Sequence, residues 1–207
     1  MTVVPAILAF SAAATLLTIT PGVDTAMILR TAVSDGPRRA LAAGVGIGIG
    51  LLVWGTAVAL GLGAVLAASP MAFNVIKWAG AAYLVWLGIG LLRAPRRSLV
   101  LGGPTQAGSA WQTLWRGLAS NLLNPKVGVF YITFLPQFVP AGVPMAGFSV
   151  LLTVLHVALT GLWFGVLIVA TVPLGRWLAR PGVVTAMDRA TGLVFIGFGV
   201  RLALARR

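Results

Sequence analysis

The sequence predicts an all-α integral membrane protein with six transmembrane helices, and three observations support this. The chain has 207 residues, of which 59% are hydrophobic and only 9% are charged, with a mean hydropathy of +1.01. A soluble domain has about 25% charged residues, so this chain has too little charge to cover a water-facing surface. Its apolar runs allow six helices of about 20 residues with short connections. Residues 1–207 are therefore predicted to form a single transmembrane domain, without a separate soluble part.

The net charge of +12 comes from basic residues that sit mainly in the gaps between apolar runs. Positive charge in such gaps orients membrane helices, so we expect no nucleic-acid partner. The first, third and fifth gaps hold most of it and are predicted to be cytoplasmic, which places both termini outside, although Arg206 and Arg207 argue against that at the C-terminus. The chain has no cysteine, which excludes thiolate metal sites. We expect neither metal nor cofactor.

The first predicted helix covers residues 3–29 and is interrupted by Pro21 and Gly22. An unbroken helix of that length would measure about 40 Å, whereas the hydrocarbon core is about 30 Å thick. Pro21 removes a backbone donor, so the carbonyls near Leu17 and Thr18 need other partners. Inside a membrane protein such backbone is tolerated mainly where it lines a cavity. The alternative is an ordinary proline kink whose carbonyls are satisfied by nearby threonine hydroxyls.

Asp24 directly follows this break. It is one of three acidic residues and the only one set well inside an apolar run. An ionisable group at the centre of a membrane helix costs roughly 2.5–3.5 kcal/mol on insertion scales, so it indicates a functional site.

A second break occurs at Asn124 and Pro125 in the fourth predicted helix, residues 117–138, and Lys126 follows it with the opposite charge. Lys126 lies about 15 Å deeper than Arg116 if the segment is helical, which is too deep for easy snorkelling. We therefore expect Lys126 to have a functional or pairing role.

The other predicted helices cover residues 40–67, 73–92, 145–173 and 186–205. The second contains Gly44, Gly46, Gly48 and Gly50, whose spacing favours close helix packing. The fifth contains His156, the only histidine, as either a packing or a coupling residue. The sixth contains Arg201, which could reach the membrane surface or face Asp24.

The chain also divides into two similar halves, residues 1–103 and 104–207. Each half has three apolar runs, and the first run of each is broken at a proline, Pro21 or Pro125. Three crossings per half require the second half to be inverted relative to the first. Inverted repeats with broken helices at matching positions are typical of secondary transporters that bind substrate between the halves.

Three motifs together resemble the LysE/RhtB family of bacterial amino-acid exporters. They are TPGVD at residues 20–24, KWAGAAYLVWLG at 77–88, and NPK at 124–126 followed by FLPQF at 134–138. The resemblance covers essentially the whole chain and implies a multi-pass protein of the bacterial inner membrane that exports amino acids or close derivatives, driven by an ion gradient. Val23 departs from the family pattern, which usually has a second proline there.

A zwitterionic substrate needs partners for both of its charges. Asp24 is predicted to hold the ammonium group and Lys126 the carboxylate, and the two side chains could pair when the carrier is empty. Protonation of Asp24 is a plausible step in coupling to a proton or another ion. The scarcity of acidic residues favours a neutral substrate side chain. The substrate or coupling candidates are Asp24, Lys126, Asn124, Asn121, Pro21, Gly22 and Pro125, followed by Thr20, His156 and Arg201.

Three alternatives compete with an amino-acid exporter. The chain could export another small metabolite. An intramembrane enzyme is disfavoured, because the sequence lacks a nucleophile–base set, a metal-spaced cluster and a P-loop. A channel would more naturally carry rings of like charge, and a structural subunit would need no charge at Asp24. Small-residue faces would permit a homodimer without requiring one.

Overall fold

The computed structural model describes residues 2–62, 70–95, 109–170, 177 and 180–204. These residues are almost entirely helical, and no strand occurs among them. The α-helices are α1 (Val3–Ile19), α2 (Val23–Ser34), α3 (Pro37–Ala57), α4 (Pro70–Arg93), α5 (Ala110–Leu122), α6 (Pro125–Val129), α7 (Met145–Val169) and α8 (Pro181–Leu204). A π-helical turn extends α3 over Val58–Leu62, and a π-helical turn (Phe130–Phe134) and a 3-10 turn (Leu135–Phe138) follow α6.

The first break lies where the proline predicts it. Helix α1 ends at Ile19, α2 begins at Val23, and the two helices are bent by 52°. Helix α2 continues beyond the predicted end at residue 29, and only Asp35 and Gly36 separate it from α3. Gly36 has φ of 86°, a left-handed conformation that glycine adopts without steric cost. The first gap is therefore much shorter than the spacing of its arginines suggests.

The second break separates α5 from α6 at Leu123 and Asn124. Helix α5 begins at Ala110, seven residues before the predicted start, because Ser109 and Gln112 form a capping box. The Gln112 backbone nitrogen donates to Ser109 Oγ at 3.2 Å, and the Ser109 nitrogen donates to Gln112 Oε1 at 3.0 Å. The prediction followed the onset of the apolar run and missed this polar cap.

Helix α8 begins at Pro181, five residues before the predicted start at residue 186. Asp188 lies inside this helix, as it does in the predicted one, and its side chain is fully buried. Asp24 is therefore not the only acidic residue within a helix that packs in the interior. The predicted ends of the second, fifth and sixth helices, at residues 67, 173 and 205, lie outside the described residues.

Helix α3 packs against α2, α5 and α7, and α4 packs against α8. The crossing of α3 and α5 is close: a Cβ atom built on Gly46 would overlap the Leu114 carbonyl, and one built on Gly117 would overlap the Ala43 carbonyl. The predicted packing role therefore holds for Gly46. On the other face of α3, a Cβ on Gly44 or Gly48 would make only ordinary contacts, at 3.5 and 3.7 Å.

Within the described residues, Pro37–Gly61 and Met145–Val169 are each long and apolar enough to cross a membrane. The bent pair α1 and α2 provides a third crossing if it is counted as one span. The arrangement of six crossings in two inverted repeats stays a prediction.

Candidate binding site

Asp24 lies in the first turn of α2, where the positive end of the helix dipole favours a carboxylate. Its oxygens accept hydrogen bonds from side chains at the second break. Ser120 Oγ lies 3.2 Å from Oδ1, Asn121 Nδ2 lies 3.0 Å from Oδ2, and Asn124 Nδ2 lies 3.4 Å from Oδ2. The end of α5 and the cap of α6 thus bind the carboxylate that follows the first break.

Lys126 makes the reciprocal contact. It lies in the first turn of α6, where Asn124 caps the helix and accepts a hydrogen bond from the Lys126 backbone nitrogen at 3.1 Å. Its ammonium nitrogen donates to the carbonyl of Leu17 at 2.9 Å and to that of Thr20 at 3.4 Å. Leu17 is four residues before Pro21, so its carbonyl is the one that the proline leaves without a helical donor.

Thr20 adds a second donor to the Leu16 carbonyl at the end of α1, which already accepts the Thr20 backbone N–H at 3.1 Å. Its Oγ1 lies 2.6 Å from the carbonyl oxygen of Leu16 and 2.7 Å from Thr191 Oγ1 on α8. Thr191 Oγ1 in turn lies 2.8 Å from the carbonyl of Met187. Two hydroxyl protons serve these three short contacts, so at any moment one contact lacks a proton. Leu16 is not among the carbonyls that Pro21 frees, so this contact does not support the threonine alternative; the freed carbonyl of Leu17 is satisfied by Lys126.

The two breaks border a partly open cavity of about 40 Å³, room for a few water molecules. Its lining includes most of the predicted site residues, namely Asp24, Lys126, Asn121, Asn124, Gly22, Thr20 and His156. Pro21 and Pro125 shape the breaks but are not part of the lining. The side chain of Arg201 lies outside the described residues, so its predicted role stays untested. The pairing of Asp24 with Lys126 likewise stays a prediction.

His156 on α7 forms a polar wall of this cavity. Its Nε2 lies 3.2 Å from Thr18 Oγ1, and its Nδ1 lies 3.1 Å from Tyr131 Oη in the π-helical turn after α6. Thr160, one turn further along α7, has its Oγ1 3.4 Å from Thr18 Oγ1. Phe130 packs against the imidazole with ring centroids 5.4 Å apart. The single histidine is thus both a packed residue and part of the cavity surface.

Asn121 is positioned by a glycine. A Cβ atom on Gly50 would lie 2.6 Å from Asn121 Oδ1 and 2.9 Å from Asn121 Cβ. Asn121 Oδ1 is buried and has no hydrogen-bond partner among the described residues. Leaving a buried acceptor without a hydrogen bond costs about 1–3 kcal/mol. The amide keeps this orientation despite that cost because its Nδ2 bonds Asp24 and because α3 packs closely against it.

Sequence reasoning missed several polar residues of the site. Ser120 is separated from Asp24 by nearly a hundred positions, and Thr160 and Tyr131 resemble ordinary members of apolar helices. A weak signal was available for Thr160, because it lies four residues from His156 and therefore on the same helix face. Among the described residues, no group of three or more His, Cys, Asp or Glu side chains could hold a metal ion.

Comparisons with known proteins match this chain to a family of translocators and to relatives named as efflux or membrane proteins. The family model for the LysE type translocator matches residues 15–206. A homoserine/homoserine lactone efflux protein of Salmonella typhimurium is 32% identical over 198 residues, covering 96% of each chain. A leucine efflux protein of Klebsiella pneumoniae is 30% identical over 199 residues, covering 95% of this chain and 93% of the relative. An uncharacterized membrane protein of Vibrio cholerae is 34% identical over 200 residues, covering 96% and 97% of the two chains. No solved structure matches the chain.

Proposed function

Because the chain belongs to the LysE family of translocators, we propose that it is a secondary exporter that moves a neutral amino acid, or a close derivative, out of the bacterial cytoplasm. The names of the Salmonella and Klebsiella relatives, which are efflux proteins for homoserine and leucine, support this substrate class. We place the protein in the inner membrane, where it would face the cytoplasmic pool of amino acids.

The observation that carries the proposal is that Asp24 and Lys126, of opposite charge, line one cavity. An amino-acid zwitterion has one charge of each sign and needs both partners inside a low-dielectric site. In this assignment Asp24 holds the ammonium group, Lys126 holds the carboxylate, and the amides of Asn121 and Asn124 add hydrogen bonds. The substrate would take over contacts that the protein now makes to itself.

The architecture proposed for this carrier has six crossings in two inverted repeats, residues 1–103 and 104–207. The two proline breaks support it, since each lies early in its half and each presents a charged residue to the same cavity. The packing of α4 against α8 supports it as well, because these are the last helices of the two halves. Broken helices that meet at a repeat interface are typical of secondary transporters.

Coupling to a proton or another ion gradient completes the proposal. Asp24 is the candidate for coupling, because a carboxylate in the cavity could exchange its hydrogen bonds for a proton. A homodimer is compatible with the exposed small residues of the helices but is not required.

Transport would be tested with membrane vesicles preloaded with radiolabelled amino acids, with and without an imposed proton gradient. We expect gradient-dependent loss of one or a few neutral amino acids, and none from vesicles without the protein. Retention of every amino acid would contradict the proposal and favour another small metabolite as the substrate. Loss that neither saturates nor depends on a gradient would indicate a channel.

A further inference from the structure

We propose that Thr18, His156 and Thr160 form a subsite for the substrate side chain and that this subsite selects a hydroxyl-bearing neutral amino acid over an aliphatic one of equal size. The inference rests on the proposed function, since it takes the cavity to be the amino-acid site. It assigns the three residues a role in choosing the substrate, separate from the two charges that hold its zwitterion.

The position of His156 is fixed from behind. Tyr131 contacts Nδ1 at 3.1 Å and stacks on the imidazole with ring centroids 5.7 Å apart and an interplanar angle of 21°. Phe10 packs against the ring edge-on at 6.3 Å. The ring therefore cannot turn freely, and its Nε2 remains on the side of Thr18 and the cavity.

The hydroxyls in front of the ring are not fully used. Thr18 Oγ1 and Thr160 Oγ1 lie 3.4 Å apart, whereas a good O–H···O hydrogen bond measures about 2.7–2.8 Å. Each hydroxyl has one donor and two acceptor positions, so even when Thr160 donates to Thr18 and Thr18 donates to His156, acceptor positions remain on both oxygens. A substrate hydroxyl placed here could donate and accept at once, and so would fit whichever nitrogen of His156 carries the proton.

The rest of the cavity favours a neutral side chain of small size. Ile47, Leu51 and Phe164 form an apolar wall, and Asp24 is the only acidic side chain among the lining residues. That carboxylate already accepts three hydrogen bonds and is assigned to the substrate ammonium group. A second positive charge on the substrate would have no acidic partner in the cavity. A short side chain ending in a hydroxyl would pack its carbon atoms against the apolar wall and hydrogen-bond the polar wall at His156.

The test is competition for export between amino acids of the same shape. Proteoliposomes that contain the full chain would be assayed for exchange of a labelled neutral amino acid against threonine or valine, and against homoserine or norvaline. Within each pair a hydroxyl replaces a methyl group. A site built to bond a hydroxyl rejects the analogue that lacks it, so we expect the hydroxyl member to compete at least about tenfold better.

Two variants locate the effect. Thr18→Val and Thr160→Val remove one hydroxyl each at nearly constant volume and should bring the preference for threonine over valine, and for homoserine over norvaline, close to one. Thr133→Val is the matched control, because Thr133 is buried, its hydroxyl bonds the nearby Val129 carbonyl, and it does not line the cavity. It should leave the preference unchanged.

The outcomes separate the two proposals. Equal or better competition by valine and norvaline, with amino-acid exchange intact, would overturn the subsite and leave the exporter standing. The same holds if the preference exists but survives both variants. Exchange of no amino acid at all, by protein shown to be inserted and folded, would overturn the exporter and the subsite together.

Discussion

Lys126 Nζ lies 2.9 Å from the carbonyl oxygen of Leu17, the acceptor that Pro21 deprives of its helical donor. A side chain from the second break thus completes the backbone of the first. The contact satisfies a backbone carbonyl and a half-buried cation together, and each would be costly without a partner. The same contact holds Lys126, the proposed partner of the substrate carboxylate, at the C-terminal end of α1.

Removing the charge of Lys126 should abolish transport. Lys126→Met leaves the Leu17 and Thr20 carbonyls without this donor and the substrate carboxylate without a cation, so we expect export to fall at least about a hundredfold, in line with the loss of one partner of a buried charge pair. Lys77→Met is the matched control, because Lys77 is the only other lysine and its ammonium lies over the Trp78 ring, 5.3 Å from the centroid. Equal export by both variants would contradict the site assignment.

Replacing Asp24 by Asn should also abolish export while the protein remains inserted in the membrane. The amide keeps the volume, but it cannot hold an ammonium group electrostatically, and its NH₂ group would face the donors of Asn121 and Asn124. Asp35→Asn is the control, since Asp35 pairs with Arg39 at 3.6 Å in the turn between α2 and α3. Measured efflux that is normal in Asp24→Asn would show that this carboxylate is dispensable.

Gly50→Ala should impair export without touching the cavity directly. The new methyl group would lie 2.6 Å from Asn121 Oδ1, so the amide must move away from Asp24 or the helices must separate. Overpacking of this kind costs about 1–3 kcal/mol. We expect export to fall about tenfold, while the amount of folded protein decreases only modestly. Gly48→Ala, whose methyl group would meet Val157 at 3.7 Å, should behave like the unaltered protein. A larger effect at Gly48 would refute the role assigned to Gly50.

Gly192→Ala should destabilise the pair formed by α4 and α8. A Cβ there would lie 2.7 Å from the Gly88 carbonyl oxygen, a backbone atom that cannot turn aside. We expect a loss of about 1–3 kcal/mol, visible as a lower melting temperature in detergent. Gly182→Ala introduces the same group into open space near the start of α8 and should have little effect. An unchanged melting temperature for Gly192→Ala would show that the two helices can separate at low cost.

The breaks and their charges could be predicted from the sequence because proline and buried ionisable groups have few structural options. Pro21 and Pro125 fix where the helices stop, and the expense of burying Asp24 and Lys126 identifies them as functional candidates. The partners of these residues could not be predicted in the same way. Ser120 and Thr191 are ordinary polar residues until the packing of α5 and α8 brings them to the breaks.

Helix starts were the least predictable part of the fold. Apolar periodicity locates the buried portion of a helix, whereas its first turns are polar and depend on caps such as Ser109. The start of α8 was also missed, because the helix begins at Pro181, five residues before the predicted start.

The two-residue turn at Asp35 and Gly36 has a consequence for how this carrier could alternate. Helices α2 and α3 are joined too tightly to rotate independently, and both pack against α5. The three helices therefore form one body, and the bonds from Ser120 and Asn121 to Asp24 lie within it. The bond from Lys126 to Leu17 instead reaches across to α1. If α6 moves with α5, rocking of this body against α1 would keep the hydrogen bonds to Asp24, the proposed ammonium partner, and would break the bond from Lys126, the proposed carboxylate partner, to Leu17.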